Sequence, residues 1–210
     1  MRYTVFGATG GVGREIVTQA LAAGHEVTAV VRDPSRYTVT SPGLTVFEAD
    51  LAKPETLRPA VEGRDAVLSG LGARTRADAG IATTLTRAVL TAMEAEGTRR
   101  LVVVSATPLG GSPQGESLLD RVSMSVVSAV FKDLYRDLRA MEAALANSDT
   151  DWTAVRPPRL LNKPLTGVYR TVIGGNPRAA RTIARADVAH AMLAQVARRE
   201  TVGQAVGVAY

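Results

Sequence analysis

The residues of this 210-residue chain best suited to chemistry lie in a glycine-rich turn, Gly7-Ala8-Thr9-Gly10-Gly11-Val12-Gly13. The turn follows a short β-rich run, Arg2–Phe6, and precedes a segment with Val12, Ile16, Val17, Ala20 and Leu21 at helical spacing. A glycine at 7 allows a tight turn, one at 10 lets backbone approach a pyrophosphate, and one at 13 lets helix pack closely on strand. Thr9, Gly10, Gly11 and Val12 then sit at the start of a helix whose free N–H groups and positive dipole end favour phosphate. The chemistry expected of this turn is dinucleotide binding.

The residues after the second strand choose the cofactor. An acidic group there would bind a ribose 2′-hydroxyl and favour NAD. This chain has Arg32-Asp33-Pro34-Ser35-Arg36. Two guanidinium forks, Arg32 and Arg36, suit a 2′-phosphate through charge-assisted bonds, so the expected cofactor is NADPH (NADP). Asp33 could contact a ribose instead, or pair with one of the arginines. Further along, Asp50 could accept from an adenine amino group while Leu51 packs its ring. Gly70-Leu71-Gly72 follows the fourth strand, where small residues let a cofactor backbone pass, and Arg74 lies within reach of phosphate. All fall at carboxyl ends of strands, where open α/β sheets bind ligands.

Two residues compete for catalysis. Ser105 ends the fifth strand on the face where a nicotinamide would lie. It could orient a substrate or relay a proton, or simply cap the strand end. Tyr135 resembles the tyrosine of a Tyr-x-x-x-Lys pair, but Arg139 replaces the lysine and the register is shifted by one residue; a packing role fits it better. His25 and His190 have no carboxylate or second histidine at ligand spacing, so no metal is expected. Asp187 is assigned to a helix start rather than to chemistry.

The elements that must position these residues alternate. Strands are expected at Arg2–Phe6, His25–Val31, Leu44–Glu48, Ala66–Ser69, Leu101–Ser105, Trp152–Val155, Tyr169–Ile173 and Val206–Val208. Helices are expected at Gly11–Ala23, Pro54–Val61, Ile81–Glu96, Ser117–Phe131, Asp133–Ala146 and Asp187–Ala197, with a Gly/Pro/Ser-rich loop over Pro108–Glu116. Uniformly apolar runs separated by helices indicate parallel strands buried on both faces. The fold class is therefore α/β: one doubly wound Rossmann domain over residues 1–210, its mainly parallel sheet flanked by helices, with the substrate side mainly from 105–180.

Composition narrows the partners. Hydrophobic residues make up 46% and charged residues 21%, the profile of an ordinary globular chain. The absence of cysteine excludes disulfides, thiolate metal sites and a cysteine nucleophile. The net charge of +5 comes mostly from scattered arginines, with lysine only at Lys53, Lys132 and Lys163, so no nucleic-acid surface is expected. The apolar-leaning run Val122–Phe131 contains three serines and falls well short of the ~20 residues of a membrane span. With a strand starting directly after Met1, a cytoplasmic location is expected.

The segments GATGGVG, VVRDPSR, EADL, SGLGAR and VVVSAT resemble those of atypical short-chain dehydrogenase/reductases. VRPPRLLNKPLTGVYR and RTIARADVAHAML resemble the biliverdin IXβ reductase, or flavin reductase, branch of that family over nearly the whole chain. The resemblance implies a monomeric oxidoreductase passing hydride from NADPH to a flavin, quinone or tetrapyrrole-like small molecule. It implies pyrophosphate contacts from Gly10, Gly11, Val12 and Gly13, 2′-phosphate contacts from Arg32 and Arg36, and adenine contacts from Asp50 and Leu51. It also implies a cofactor-side role for Arg74 and places Ser105 near the nicotinamide. Arg159 stands after the double proline Pro157-Pro158, where that branch has histidine, so Pro158 and Arg159 mark the substrate side and a departure in substrate. The alternative expectation is a non-catalytic NADP(H)-binding redox sensor, suggested by the missing Tyr-x-x-x-Lys. A sugar-nucleotide epimerase is a weaker third, since that chemistry leans on the same pair.

Overall fold

The fold comes from a computed structural model and is described for residues 1–72, 80–110 and 131–210. Arg74, the expected helix over Ser117–Phe131 except Phe131 itself, and the loop beyond Gly110 lie outside the described residues.

The first half alternates strand and helix: β1 (Arg2–Phe6), α1 (Gly11–Ala22), β2 (Glu26–Val31), β3 (Leu44–Glu48), α2 (Pro54–Val61), β4 (Ala66–Ser69), α3 (Ile81–Glu96) and β5 (Arg100–Val104). Then come α4 (Lys132–Ala146), β6 (Asp151–Arg156), β7 (Arg159–Leu161), β8 (Arg170–Ile173), β9 (Thr182–Ala184), α5 (Arg185–Gln195) and β10 (Gln204–Ala209). Gly24 ends α1 at φ +77°. His25 N–H donates back to Ala20 O and Gly24 N–H to Leu21 O, a helix stop that a left-handed glycine permits.

Eight strands form one sheet in the order β3-β2-β1-β4-β5-β6-β10-β8. All neighbours are parallel except β10 and β8, which run antiparallel. This is the doubly wound Rossmann-like arrangement expected from the alternation. The chain reverses direction across the sheet between β1 and β4, so the crevice at their carboxyl ends is the topological switch point.

Period-two alternation in the central strands builds a core on each face. Val5, Ala29, Leu68, Val102 and Val155 point into one, with Ile16 and Val17 of α1 and Val188 and Met192 of α5. Phe6, Val30, Val67, Leu101, Val103 and Ala154 point into the other, with Leu57, Val89, Met93, Met141 and Leu145 from α2, α3 and α4.

The structure corrects three expectations. β3 is not buried on both faces: as an edge strand it leaves Val46 exposed, with only Leu44 and Phe47 half-covered. β8 lies at the other edge, antiparallel and exposed along its length. β7 and β9 pair as a separate two-stranded sheet that sequence reading missed, because three-residue strands carry no periodicity.

Candidate functional site

The switch point is built from three glycines. A Cβ on Gly13 would stand 2.1 Å from the Gly7 carbonyl oxygen, and one on Gly7 would stand 2.8 Å from the Gly70 carbonyl carbon. A Cβ on Gly70 would in turn meet Gly13 N at 2.9 Å. The turn after β1, the start of α1 and the end of β4 therefore touch backbone to backbone. Gly72 is different: among the described residues a Cβ there meets nothing within 4 Å. Leu71, between them, is buried in the second core.

α1 begins at this contact with Gly10 as its N-cap, and among the described residues no side chain caps it. The first N–H groups of a helix have no acceptor within the helix. An uncapped, glycine-lined helix start is a cradle that fits a diphosphate by dipole and donors alike. Thr9 and Gly11 are exposed there, while Val12 turns its side chain into the core.

Beyond β2, Arg32 and Arg36 are exposed, and neither is ion-paired among the described residues. Asp33 pairs with neither arginine among the described residues. Its Oδ1 accepts the Ser35 N–H at 3.1 Å and the Ser35 hydroxyl at 2.6 Å, capping the short 3-10 turn Pro34–Arg36. One carboxylate oxygen is thus engaged locally, and the two exposed guanidinium groups are placed to meet an anion.

At the end of β3, Asp50 accepts the Ala52 N–H at 3.1 Å and lies 3.6 Å from Lys53 Nζ. It remains exposed, whereas Leu51 is buried in the second core and offers little side chain to an adenine ring.

On the other side of the switch point, Ser105 N–H donates to Val155 O, and Thr107 N–H to Pro157 O. These bonds bring Ser105 beside the start of Pro157-Pro158-Arg159, so Ser105, Pro158 and Arg159 share the carboxyl end of the sheet. Ser105 is not free to act alone. Its hydroxyl donates to Glu142 Oε1 at 2.6 Å, and Arg156 grips the same carboxylate through Nε at 2.9 Å and through Nη2. Sequence reading missed this triad. Glu142 and Arg156 are both nearly buried, so each needs the other.

Tyr135 is buried in the second core, and burial raises its pKa. Two residues on, Asp137 accepts the N–H groups of Ala82 and Thr83, both at 3.0 Å, and so caps α3 from α4. Tyr135 thus packs in the core and Asp137 caps a helix, while Arg139 is exposed. His25 packs edge-on against Tyr3, and His190 hydrogen-bonds Tyr169 at 2.6 Å. Among the described residues no group of side chains could hold a metal ion.

Asp187 was expected at a helix start and is found in the first turn of α5, but it does not cap that helix. It is fully buried, and its Oδ1 accepts the N–H groups of Thr166 and Gly167 at 3.0 and 2.8 Å. Its Oδ2 accepts the Thr166 hydroxyl at 3.0 Å and the Tyr210 hydroxyl at 2.5 Å. Burial would raise its pKa, but the bonds from Tyr210, Gly167 and Thr166 outweigh burial and hold it below the usual range. This carboxylate latches the strap from Asn162 to Val168, which carries the PLTG stretch, onto α5.

A family model described as NAD(P)H-binding matches residues 7–199, from the first glycine of the turn almost to the end. The chain belongs to that NAD(P)H-binding family. A curated relative, a (4-alkanoyl-5-oxo-2,5-dihydrofuran-3-yl)methyl phosphate reductase of Streptomyces griseus, is 29% identical over 82% of this chain and 56% of its own length. This family member thus spans about half the length of that relative, and 23% of another curated match. An anaerobillin reductase from Escherichia coli O157:H7 has the same fold at 23% identity, with a TM-score of 0.80 over 100% of this chain and 97% of that one. A Streptococcus pneumoniae chain proposed to be an NADH-flavin reductase aligns at 22% identity and TM-score 0.80, over 100% and 99% of the two chains. No helix among the described residues is long and apolar enough to cross a membrane.

Proposed function

We propose that the protein is an NADPH-dependent reductase that passes hydride to a planar, largely apolar acceptor such as a flavin, quinone or linear tetrapyrrole. One observation carries the cofactor half. Among the described residues Arg32 and Arg36 have no ion-pair partner after β2, while Asp33, the residue that could have favoured NADH, has its Oδ1 tied to Ser35. The acceptor half draws on the reductase names among its relatives and on the strap, which exposes Leu165 and Val168.

The cofactor, once bound, supplies the hydride. The chain supplies position. The uncapped start of α1 holds the phosphates, and Arg32 and Arg36 hold the 2′-phosphate. Ser105 has its proton committed to Glu142, so it presents an oxygen lone pair and acts as an acceptor of an N–H or O–H. The proton that follows a hydride is assigned to water, because Tyr135 is buried in the second core.

The test mixes purified protein with NADPH and, in turn, FMN, a soluble quinone and biliverdin, and follows loss of the nicotinamide absorbance. Turnover with at least one, faster with NADPH than with NADH, is expected. Tight NADPH binding without turnover of any would replace this reading with that of a non-catalytic redox sensor.

A further inference from the structure

Arg185 opens α5, and its stem crosses the first residue of α1. A Cβ on Gly11 would stand 2.5 Å from Arg185 Cδ and 2.7 Å from its Nε. Cα–Cβ bonds tilt towards a helix's N-terminus, so this contact sets the guanidinium at the positive end of α1. Its Nη1 donates to the neutral Oδ1 of Asn162 at 2.5 Å. No carboxylate pairs with it among the described residues. A half-exposed cation beside a positive helix end, with only an amide for company, is an arrangement that an anion relieves.

We propose that Arg185 is a cofactor ligand that closes over the pyrophosphate cradled by α1. The inference rests on the dinucleotide reading of that cradle. Gly10 to Gly13 offer only neutral donors, and Arg185 adds the missing cation from the C-terminal part of the chain. This gives Gly11 its own reason to be glycine: a side chain there would displace the arginine stem. Asn162 holds the guanidinium in place from the strap. Two residues after Arg185, Asp187 holds the same strap at Thr166 and Gly167. One turn of α5 therefore fixes both the cofactor's phosphates and the strap on the acceptor side.

Calorimetric titration of the full chain with three probes tests this. NADP+ carries both phosphate groups, ADP-ribose only the pyrophosphate, and adenosine 2′-monophosphate only the 2′-phosphate. Arg185→Met keeps the stem on Gly11 and removes the charge. It should weaken NADP+ and ADP-ribose by roughly tenfold and spare adenosine 2′-monophosphate. Arg185→Lys should recover most of the loss, and Gly11→Ala should act in the same direction as Arg185→Met. Arg32→Ala should show the reverse pattern, sparing ADP-ribose. The proposal is overturned if Arg185→Met binds ADP-ribose like the wild type. It is equally overturned if that variant weakens all three probes alike and lowers the melting temperature without ligand, which would mark a purely structural arginine. A wild-type protein that binds none of the three would remove the dinucleotide reading itself.

Discussion

Replacing Asp187 by asparagine preserves shape and removes charge, and the geometry fixes what that should cost. The carboxylate accepts four hydrogen bonds, two from backbone N–H groups and two from hydroxyls. Asparagine can keep its oxygen towards Thr166 N–H and Gly167 N–H. Those two bonds fall from charged-acceptor to neutral strength, about 1 kcal/mol each. The amide NH2 then faces the Thr166 and Tyr210 hydroxyls. Tyr210 already accepts the Ala184 N–H at 3.1 Å, so its own proton loses its acceptor. That adds about 1 kcal/mol, for a total near 3 kcal/mol. In a chain of this length such a loss lowers the melting temperature by about 6–12 °C. Urea unfolding at neutral pH measures it. Tyr210→Phe removes one of the four donors, so the double variant should be less destabilised than the sum of the singles by about 1 kcal/mol. The pH dependence has a definite sign. Asp187 has a depressed folded-state pKa, so its contribution is complete above the unfolded value of about 3.9 and is lost as pH falls through the folded value. The stability gap between wild type and Asp187→Asn should therefore be flat from neutral pH to about 5 and narrow below about 4. A cost under about 1 kcal/mol, or a gap independent of acid, would refute the latch.

Four further outcomes are expected. Gly13→Ala forces a Cβ to 2.1 Å from the Gly7 carbonyl, so it should abolish NADPH binding or folding, read by fluorescence and circular dichroism. Gly72→Ala meets nothing within 4 Å among the described residues and should leave the melting temperature unchanged, so any loss of NADPH affinity points to the cofactor's path. Tyr135→Phe should keep its turnover, since Tyr135 packs in the second core; a large fall in kcat would make it the proton donor after all. Glu142→Ala leaves Arg156 nearly buried and unpaired, a loss of about 3 kcal/mol in urea unfolding, whereas Ser105→Ala should cost nearer 1 kcal/mol.

The sequence by itself determined the class of fold and marked out the candidate site. Apolar runs alternating with amphipathic segments, and Gly7, Gly10 and Gly13 between the first strand and first helix, are local signals. Turn chemistry and side-chain period are decided by near neighbours, so they survive in one dimension. The arginines at 32 and 36 were legible for the same reason. The tertiary structure alone decided the rest. It set Gly70 against Gly7 and Gly13. It joined Ser105 to Glu142 across 37 residues and Asp187 to Thr166 across 21. It also laid Arg185 over Gly11. Such contacts have no period and no motif. A buried carboxylate takes whatever donors the packing of distant segments brings within 3 Å, and only the folded chain says which those are.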